Sequence, residues 1–418
     1  MNSIASGINE HFPALGHKPY RAFFIAQFIS LIGTWMQQIT IPWIVLEQTN
    51  SKFMLGVVSA LSTLPMLLLT IFAGVFADKH SKRTILIFTQ TFLLVQAAIF
   101  AVLSGMESLT IPFIIALGMM GGLLMAFDMP TRQSFIREIV NIKSLPSAIA
   151  LNSGIFNAAR FIGPAIAGMV LAHAGKTWCF SINAISFVGI IAVLIWITPA
   201  AINRPGVTLS LASLSAGVRY AAQSRGIRSV LILVGVCSLF GWTYVTILPA
   251  IAREIYHVDE RGFGMLVSVT GVGAVIGALS IAILGRRGIL PQAVVVGWFI
   301  FIAALLALAI SNAYWMGLVT VFGVGLGLTV LHTGGNTLVQ MIVPDEYRGR
   351  VMGLYAFLWI GMAPFGNLLI GTMAQFINLR VALGVNAVVC LIAVLCVRAR
   401  ILSCHQEILS RTQPQPVN

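Results

Sequence analysis

The stretch FMLGVVSALSTLPMLLLTIFAGVFADKHSKR, residues 53–83, decides the fold. Its first part, residues 53–77, carries no Asp, Glu, Lys or Arg, and a transmembrane helix needs about 20 predominantly apolar residues. A charged break follows at once, with Asp78, Lys79, Lys82 and Arg83. An apolar run of membrane length that ends in a short basic segment predicts a helix that crosses a bilayer.

The composition extends this interpretation to the whole chain. Of 418 residues, 58% are hydrophobic and 9% are charged, against about 25% charged in an ordinary soluble domain. So few charges could not cover a soluble protein of this length, and we expect the bilayer to be the solvent for most of it. The formal net charge of +13 is spread over the breaks between apolar runs, which argues against nucleic-acid binding.

The same alternation recurs along the chain and predicts an all-α membrane protein with twelve transmembrane helices. A long break midway divides these helices into two groups of six, which indicates two six-helix bundles. We place the domains at 1–198, 199–228 (a linker), 229–402 and 403–418 (a tail), and expect an amphipathic helix at 209–229 in the linker. The predicted spans are 22–46, 53–77, 84–104, 110–131, 147–173, 178–198, 229–251, 263–284, 291–310, 314–337, 350–376 and 381–401.

The distribution of basic residues predicts the orientation. With both termini in the cytoplasm, the inner segments hold 19 of the 25 Lys and Arg residues and the outer loops hold 5. Positive charge concentrates on the cytoplasmic side of membrane proteins. The sequence therefore predicts a multi-pass protein of a bacterial inner membrane.

The charged break carries a resemblance. Gly74-Val-Phe-Ala-Asp78-Lys-His-Ser-Lys82-Arg83 resembles the GxxxDxxx[RK][RK] pattern of the major facilitator superfamily, and it lies between the second and third spans, as in that family. We expect Gly74 to permit close helix packing and Asp78 to accept hydrogen bonds from an arginine or a helix N-terminus. Lys82 and Arg83 are expected at the inner leaflet.

Other segments resemble the exporter branch of that superfamily. Arg160-Phe-Ile-Gly163-Pro164-Ala-Ile-Ala167-Gly168 resembles its antiporter motif, with Ala159 and Ala167 in place of glycines. Segments 126–140, 150–168 and 339–355 resemble enterobactin-type siderophore exporters and macrolide efflux pumps. The resemblance implies a proton-driven exporter of amphipathic drugs or siderophores. Gly163, Pro164 and Gly168 are expected to bend and pack the fifth helix, although ordinary helix packing would explain the same residues.

Polar side chains within the spans are candidates for a substrate cavity or for energy coupling. A narrow stripe on the first helix would face a cavity, or else form hydrogen bonds between helices. Arg160 lies about 20 Å into its span, where a charge is rare. The candidates are Gln27, Thr34, Gln37, Gln38, Asn152, Arg160, His332 and Asn336.

Opposite charges near the predicted inner surface are candidates for a gate that separates as the protein changes conformation, although membrane topology alone would also place charges there. The first helix lacks the membrane carboxylate of many drug–proton antiporters, so Asp128, His332 and Glu47, in that order, are the candidate proton carriers. The gating candidates are Gly74, Asp78, Lys82, Arg83, Asp128, Arg132, Asp345, Arg348 and Arg350.

The leading hypothesis is a secondary active exporter of small amphipathic molecules that works by alternating access. The proton gradient would supply the energy, with no bound cofactor or metal, and the expected partners are the substrate and membrane lipids, with the chain as a monomer. A lipid or lysophospholipid flippase is the alternative within transport. A non-transporting receptor is the alternative from another class, although the chain offers no sizeable soluble domain to relay a signal. No HExxH, Walker loop or Ser-His-Asp set indicates an enzyme.

Overall fold

The structure is a computed structural model that describes residues 12–198, 218–286 and 288–412. Within those ranges the chain is helical, without β-strands, and twelve helices are long and apolar enough to cross a membrane. The predicted all-α, twelve-helix fold is confirmed. The helices are α1 Lys18–Thr49, α2 Lys52–Lys79, α3 Lys82–Gly105, α4 Ile111–Ile139, α5 Leu145–Ala174, α6 Lys176–Trp196, α7 Arg225–Ile255, α8 Glu260–Arg286, α9 Leu290–Ile310, α10 Tyr314–Ile342, α11 Asp345–Phe376 and α12 Leu379–Thr412.

Two helices are interrupted where the sequence predicted continuous spans. In α7, π-helical segments lie at Cys237–Gly241 and Ile251–Ile255, and the N–H of Trp242 donates to the carbonyl of Cys237 at 2.7 Å, five residues back. In α11, helix Asp345–Gly361 ends at Met362 and Ala363–Phe376 begins. Pro364 accounts for this second break because its ring clashes with the carbonyl four residues earlier.

The chain divides into two compact units. The first unit comprises Met1–Val45, Leu61–Thr208 and Glu260–Gly264, and the second comprises Leu46–Ala60, Leu209–Asp259 and Met265–Asn418. The linker boundary between them falls among residues 199–217, which lie outside the described ranges. The predicted domain limits therefore stay a prediction, as does most of the predicted linker helix, of which 218–223 is helical.

The first unit has an apolar core shared by α1, α3, α4 and α6. Phe23 and Phe135 meet edge-to-face at 5.5 Å, and both are buried together with Leu86, Leu93 and Phe187. Segment Glu260–Gly264 joins this unit, where Glu260 Oε1 accepts a hydrogen bond from Trp43 Nε1 at 3.1 Å. This packing fixes the helices that carry the polar residues of the first unit.

The second unit packs α10 against α9 and against α8 without room for side chains at the two crossings. A Cβ added at Gly327 would lie 2.5 Å from the backbone nitrogen of Phe301, and one at Gly325 would lie 2.0 Å from the carbonyl oxygen of Thr270. Close approach of this kind needs glycine. Segment Leu46–Ala60 joins this unit, where Lys52 Nζ pairs with Glu254 Oε2 at 2.8 Å.

Candidate coupling and substrate sites

The first candidate site is a buried carboxylate in the first unit. Asp128 on α4 has no exposed surface. Its Oδ1 accepts hydrogen bonds from Thr89 Oγ1 at 2.9 Å and Gln90 Nε2 at 2.7 Å, both on α3. Its Oδ2 forms an ion pair with Arg132, one turn later on α4. We call these four residues the Asp128 centre.

The Asp128 centre surrounds a buried carboxylate with one cation and two hydrogen-bond donors. These contacts offset the cost of burying the carboxylate, and the ion pair with Arg132 makes the position of Arg132 depend on Asp128. The sequence identified Asp128 and Arg132 as gating candidates and Asp128 also as a candidate proton carrier. It missed Thr89 and Gln90, although adjacent polar residues inside an apolar helix are a signal that could have found them.

The residues of the charged break do not join this centre in the described part of the chain. Asp78 is exposed, and its backbone carbonyl lies 3.4 Å from Lys82 Nζ. Lys82 is buried, with its Nζ 3.8 Å from Glu138 Oε1. Arg83 donates to the carbonyls of Leu194, at 2.7 Å, and Ile195, so it caps the C-terminus of α6.

Gly74 does not have the predicted surroundings. A Cβ added there would lie more than 4 Å from every atom of the described residues it could contact, so these residues show no close helix approach at Gly74. The fifth helix does show one: a Cβ at Gly163 would lie 2.5 Å from the Cβ of Trp35, and one at Gly168 would lie 2.9 Å from the carbonyl of Glu260. Small residues at 163 and 168 are thus required for packing within the first unit.

The gating candidates of the second unit lie at the start of α11. Arg348 is exposed, and its Nη2 donates to the carbonyl of Val343 at 3.4 Å. Arg350 lies over the ring of Tyr347, at 5.7 Å, and Tyr347 stacks on Tyr220 at 4.5 Å. The side chain of Asp345 lies outside the described residues. The gating role of these residues remains a prediction.

The polar stripe of α1 does not have one common environment. Gln27 is buried and Gln38 is exposed, while Thr34 is half-buried and donates to the carbonyl of Ser30 at 2.9 Å. Gln37 is buried, and its Oε1 accepts from Asn183 Nδ2 at 2.8 Å. Its Nε2 lies 3.5 Å from Gln96 Oε1. The contacts of Gln37 are therefore the interhelical hydrogen bonds stated above as the alternative to a cavity role.

A second candidate site surrounds Arg160 in the first unit. Arg160 is half-buried near the middle of α5, and its Cζ lies 5.9 Å from the centre of the Trp35 ring. Trp35 meets Phe156 edge-to-face at 6.0 Å. The absence of a side chain at Gly163 allows α1 to bring Trp35 this close to α5. We call Trp35, Phe156 and Arg160 the Arg160 site.

The Arg160 site joins a permanent positive charge to two aromatic surfaces. Such a site suits a ligand that carries both an anionic group and an apolar or aromatic body. The sequence identified Arg160 and missed the two rings, although Phe156 lies one helical turn before Arg160. Asn152, two turns before Arg160, is half-buried.

A third candidate site in the second unit is aromatic. The His332 ring on α10 lies 3.9 Å from that of Trp359 and 5.8 Å from that of Tyr355, both on α11. Trp359 lies 5.9 Å from Trp242, which follows the first π segment of α7. Ser238 in that segment donates to the carbonyl of Trp359 at 2.6 Å. We call His332, Tyr355, Trp359 and Trp242 the His332 cluster.

The His332 cluster lies beside the first π segment of α7 and just before the break in α11. Helix breaks at functional sites are common in transporters, and π segments recur there. His332, Trp359 and Trp242 keep part of their surface exposed. Asn336, one turn after His332, accepts from Gln340 Nε2 at 2.6 Å. The sequence singled out His332 and Asn336 but not the tryptophans, because their convergence depends on tertiary packing.

Comparison with known proteins assigns the chain to a family of membrane transporters. A family model for transmembrane secretion effectors, within the major facilitator superfamily, matches residues 10–417. The staphyloferrin A transporter of Staphylococcus aureus is 27% identical over 84% of this chain and 89% of its own. The multidrug efflux pump Tap of Mycolicibacterium fortuitum is 22% identical over 85% and 89%. The enterobactin exporter EntS of Citrobacter koseri is 22% identical over 87% and 86%.

A solved structure shares the fold. An inward-facing, unoccupied bacterial homologue of the human lysosomal transporter Spinster superposes with a TM-score of 0.70 at 15% identity, over 96% of this chain and 100% of its own. The predicted resemblance to siderophore and drug exporters is confirmed, and the relatives are transporters rather than enzymes. The chain is a multi-pass membrane transporter of the major facilitator superfamily and belongs to its transmembrane secretion effector family.

Proposed function

We propose that the chain is a secondary active exporter of small amphipathic anions of the siderophore type. The observation that carries this proposal is the position of Arg160, a cation near the middle of a membrane-length helix, over the ring of Trp35. A charge at such depth is costly and usually serves a pathway or a ligand. A planar guanidinium binds carboxylates through two parallel hydrogen bonds, and the rings of Trp35 and Phe156 supply an apolar contact beside it.

The names of the relatives support this class of substrate. Two of them are named for siderophores and one for multiple drugs. The Arg160 site favours the first class, because a fixed positive charge attracts anionic ligands and repels cationic ones. Drug efflux is the second candidate. The His332 cluster favours it, since aromatic rings accept many apolar bodies and their faces also attract cations.

The Asp128 centre is the proposed coupling site. Binding of a proton would neutralise Asp128 and weaken its ion pair with Arg132, and loss of the proton would restore both. In alternating access, such a change would bias one conformation of the transporter over the other. The proton gradient would then drive export of the substrate against its own gradient, provided that the protonated form favours the conformation that releases the proton to the cytoplasm.

In the experiment, the purified chain is reconstituted into lipid vesicles in the inside-out orientation. A pH gradient is then imposed across the vesicle membrane. The probes are a carboxylate-bearing siderophore, the same siderophore with its carboxylates esterified, and a cationic dye. We expect gradient-driven uptake of the carboxylate form and at least about tenfold slower uptake of the ester, the loss that one charge-assisted contact gives. Uptake of the dye alone would instead support drug efflux. A rate of siderophore uptake that is the same with and without the pH gradient would contradict the proton-coupling part of the proposal.

A further inference from the structure

A groove in the second unit is separate from the three candidate sites. It has a volume of about 400 Å³ and lies between α7, the first part of α11 and the helical segment 218–223. Among the described residues of its lining, Arg228 is the charged one and the others are apolar. The two long walls are formed by Ile232, Gly235 and Leu239 on α7 and by Leu354, Leu358 and Met362 on α11.

The length of the groove matches one membrane leaflet. Along α7 it extends from Arg228 to Leu239, about 16 Å at 1.5 Å per residue. The hydrocarbon core of a bilayer is about 30 Å thick, so the groove covers about half of it. An apolar channel with this length and a charge at one end suits a single acyl chain that starts at a headgroup.

The charged end of the groove has the chemistry of a phosphate-binding surface. Arg228 is exposed, and its Nη1 donates a hydrogen bond to the carbonyl of Ala222 in the helical segment 218–223 at 3.3 Å. A guanidinium has five N–H donors, so this one contact leaves most of them for a ligand. Arg219 and Arg225 are exposed on the same stretch of chain. Basic pockets between helices near a membrane surface bind lipid headgroups.

Two tyrosines hold the helical segment 218–223 at the charged end of the groove. Tyr220 and Tyr347 are stacked at 4.5 Å with their planes 2° apart, and Arg350 lies over Tyr347. Tyrosine is enriched at the membrane interface because one side of it is apolar and the other is polar. The stack therefore holds the helical segment 218–223 against the start of α11, next to Arg228.

We propose that this groove is a binding site for an anionic phospholipid. One acyl chain lies along α7 and α11, and the phosphate pairs with Arg228. Because Leu239 belongs to both the groove wall and the π segment Cys237–Gly241, the bound chain contacts α7 at its interruption. The site differs from the Arg160 site and the His332 cluster in residues and in ligand.

The test is native mass spectrometry of the full chain with added phosphatidylglycerol or with phosphatidylcholine of the same acyl chains. We expect one phosphatidylglycerol to stay bound at collision energies that strip the phosphatidylcholine. Arg228→Gln should reduce the retained phosphatidylglycerol at least tenfold. Arg398→Gln, which removes an exposed arginine of α12, is the matched control and should retain it as the wild type does.

A second variant fills the groove instead of removing its charge. A Cβ at Gly235 would touch only Leu358 Cδ2, at an ordinary 3.7 Å, so Gly235→Leu should fold, and we expect it to exclude the lipid. A phosphatidylglycerol with a diazirine in its chain should label 231–239 and 354–362 in the wild type. Equal retention of both lipids, unchanged retention in Arg228→Gln, label elsewhere, or displacement by the transported siderophore would each overturn the proposal.

Discussion

The two units of this transporter accommodate polar side chains within membrane-length helices in different ways. In the first unit, amide and charged side chains are buried in hydrogen-bonded sets, the Asp128 centre and the network of Gln37, Gln96 and Asn183. Among the described residues, the buried charged side chains, Asp128 and Lys82, both belong to this unit. The first unit thus holds charge inside its own packing.

The second unit uses aromatic rings and helix breaks instead. Its buried polar side chains are hydroxyls and amides, and its half-buried rings meet around His332. Both interrupted helices of the described chain, α7 and α11, belong to it. Irregular backbone at membrane depth is tolerated where it is buried in protein or lines a cavity.

This difference bears on the roles of the proposed sites. The proposed proton coupling needs a carboxylate whose partners respond to its charge, and Asp128 in the first unit has such partners. A ligand body can be bound by rings in either unit, at the Arg160 site or at the His332 cluster, and the helix breaks beside the cluster can act as hinges. We therefore expect substitutions in the Asp128 centre to change coupling and substitutions in the His332 cluster to change affinity.

The largest effect is expected from Asp128→Asn. This change keeps the shape and removes the charge, so gradient-driven export should fall by about 100-fold, near the upper range of a coupling free energy. Exchange of labelled for unlabelled substrate without a gradient should stay near the wild-type rate. The control is Glu107→Gln, an exposed loop carboxylate in the same unit. Equal loss of both activities in Asp128→Asn would contradict a coupling role.

A smaller effect is expected from Trp359→Ala in the His332 cluster. The loss of one aromatic partner should weaken substrate binding by about tenfold, the equivalent of roughly 1.4 kcal/mol. The dependence of transport on the pH gradient should not change. The dissociation constant of the substrate is measured by titrating the detergent-solubilised variant with it. The control is Trp315→Ala, because the Trp315 side chain is 67% exposed. A Trp359→Ala protein with normal affinity and altered coupling would contradict the assignment of the His332 cluster to ligand binding.

The smallest effect is expected from the amide network of the first unit. Gln37→Met should lower the free energy of unfolding by about 0.5–2 kcal/mol, since interhelical hydrogen bonds in membranes contribute modestly. Gln38→Met is the matched control because Gln38 is exposed one residue away. Denaturant unfolding of both variants compares them. If Gln37→Met left stability unchanged and abolished transport, the network would be a substrate site.

The fold could be predicted from the sequence because a membrane leaves few choices. Backbone groups in hydrocarbon must be paired internally, so each apolar run of sufficient length forms a helix. The breaks in α7 and α11 could not be predicted as readily. The π segment at Cys237–Gly241 depends on contacts such as that of Ser238 with α11, which hydropathy does not record.

The sites were predictable only in part, for the same reason. Arg160, Asp128 and His332 stand out as polar residues in apolar runs. Their partners Trp35, Gln90 and Trp359 come from other helices, and an aromatic residue in a membrane helix is too common to be a signal. Arg83 illustrates the limit: its charge predicted a position near the membrane surface, while its hydrogen bonds to the end of α6 required the folded chain.

The most direct test of the account is the binding preference of Arg160 variants. The quantity is the ratio of dissociation constants for the esterified and carboxylate forms of one siderophore, measured with the wild type, Arg160→Lys and Arg160→Gln. The wild type should prefer the carboxylate by about 10- to 100-fold, the range of a hydrogen bond to a charged group. Arg160→Lys should keep part of this preference, because it keeps the charge without the planar fork. In Arg160→Gln the ratio should fall to about one while the melting temperature stays near that of the wild type. A stable Arg160→Gln protein that still prefers the carboxylate would contradict the central claim that Arg160 recognises the anionic group of the substrate.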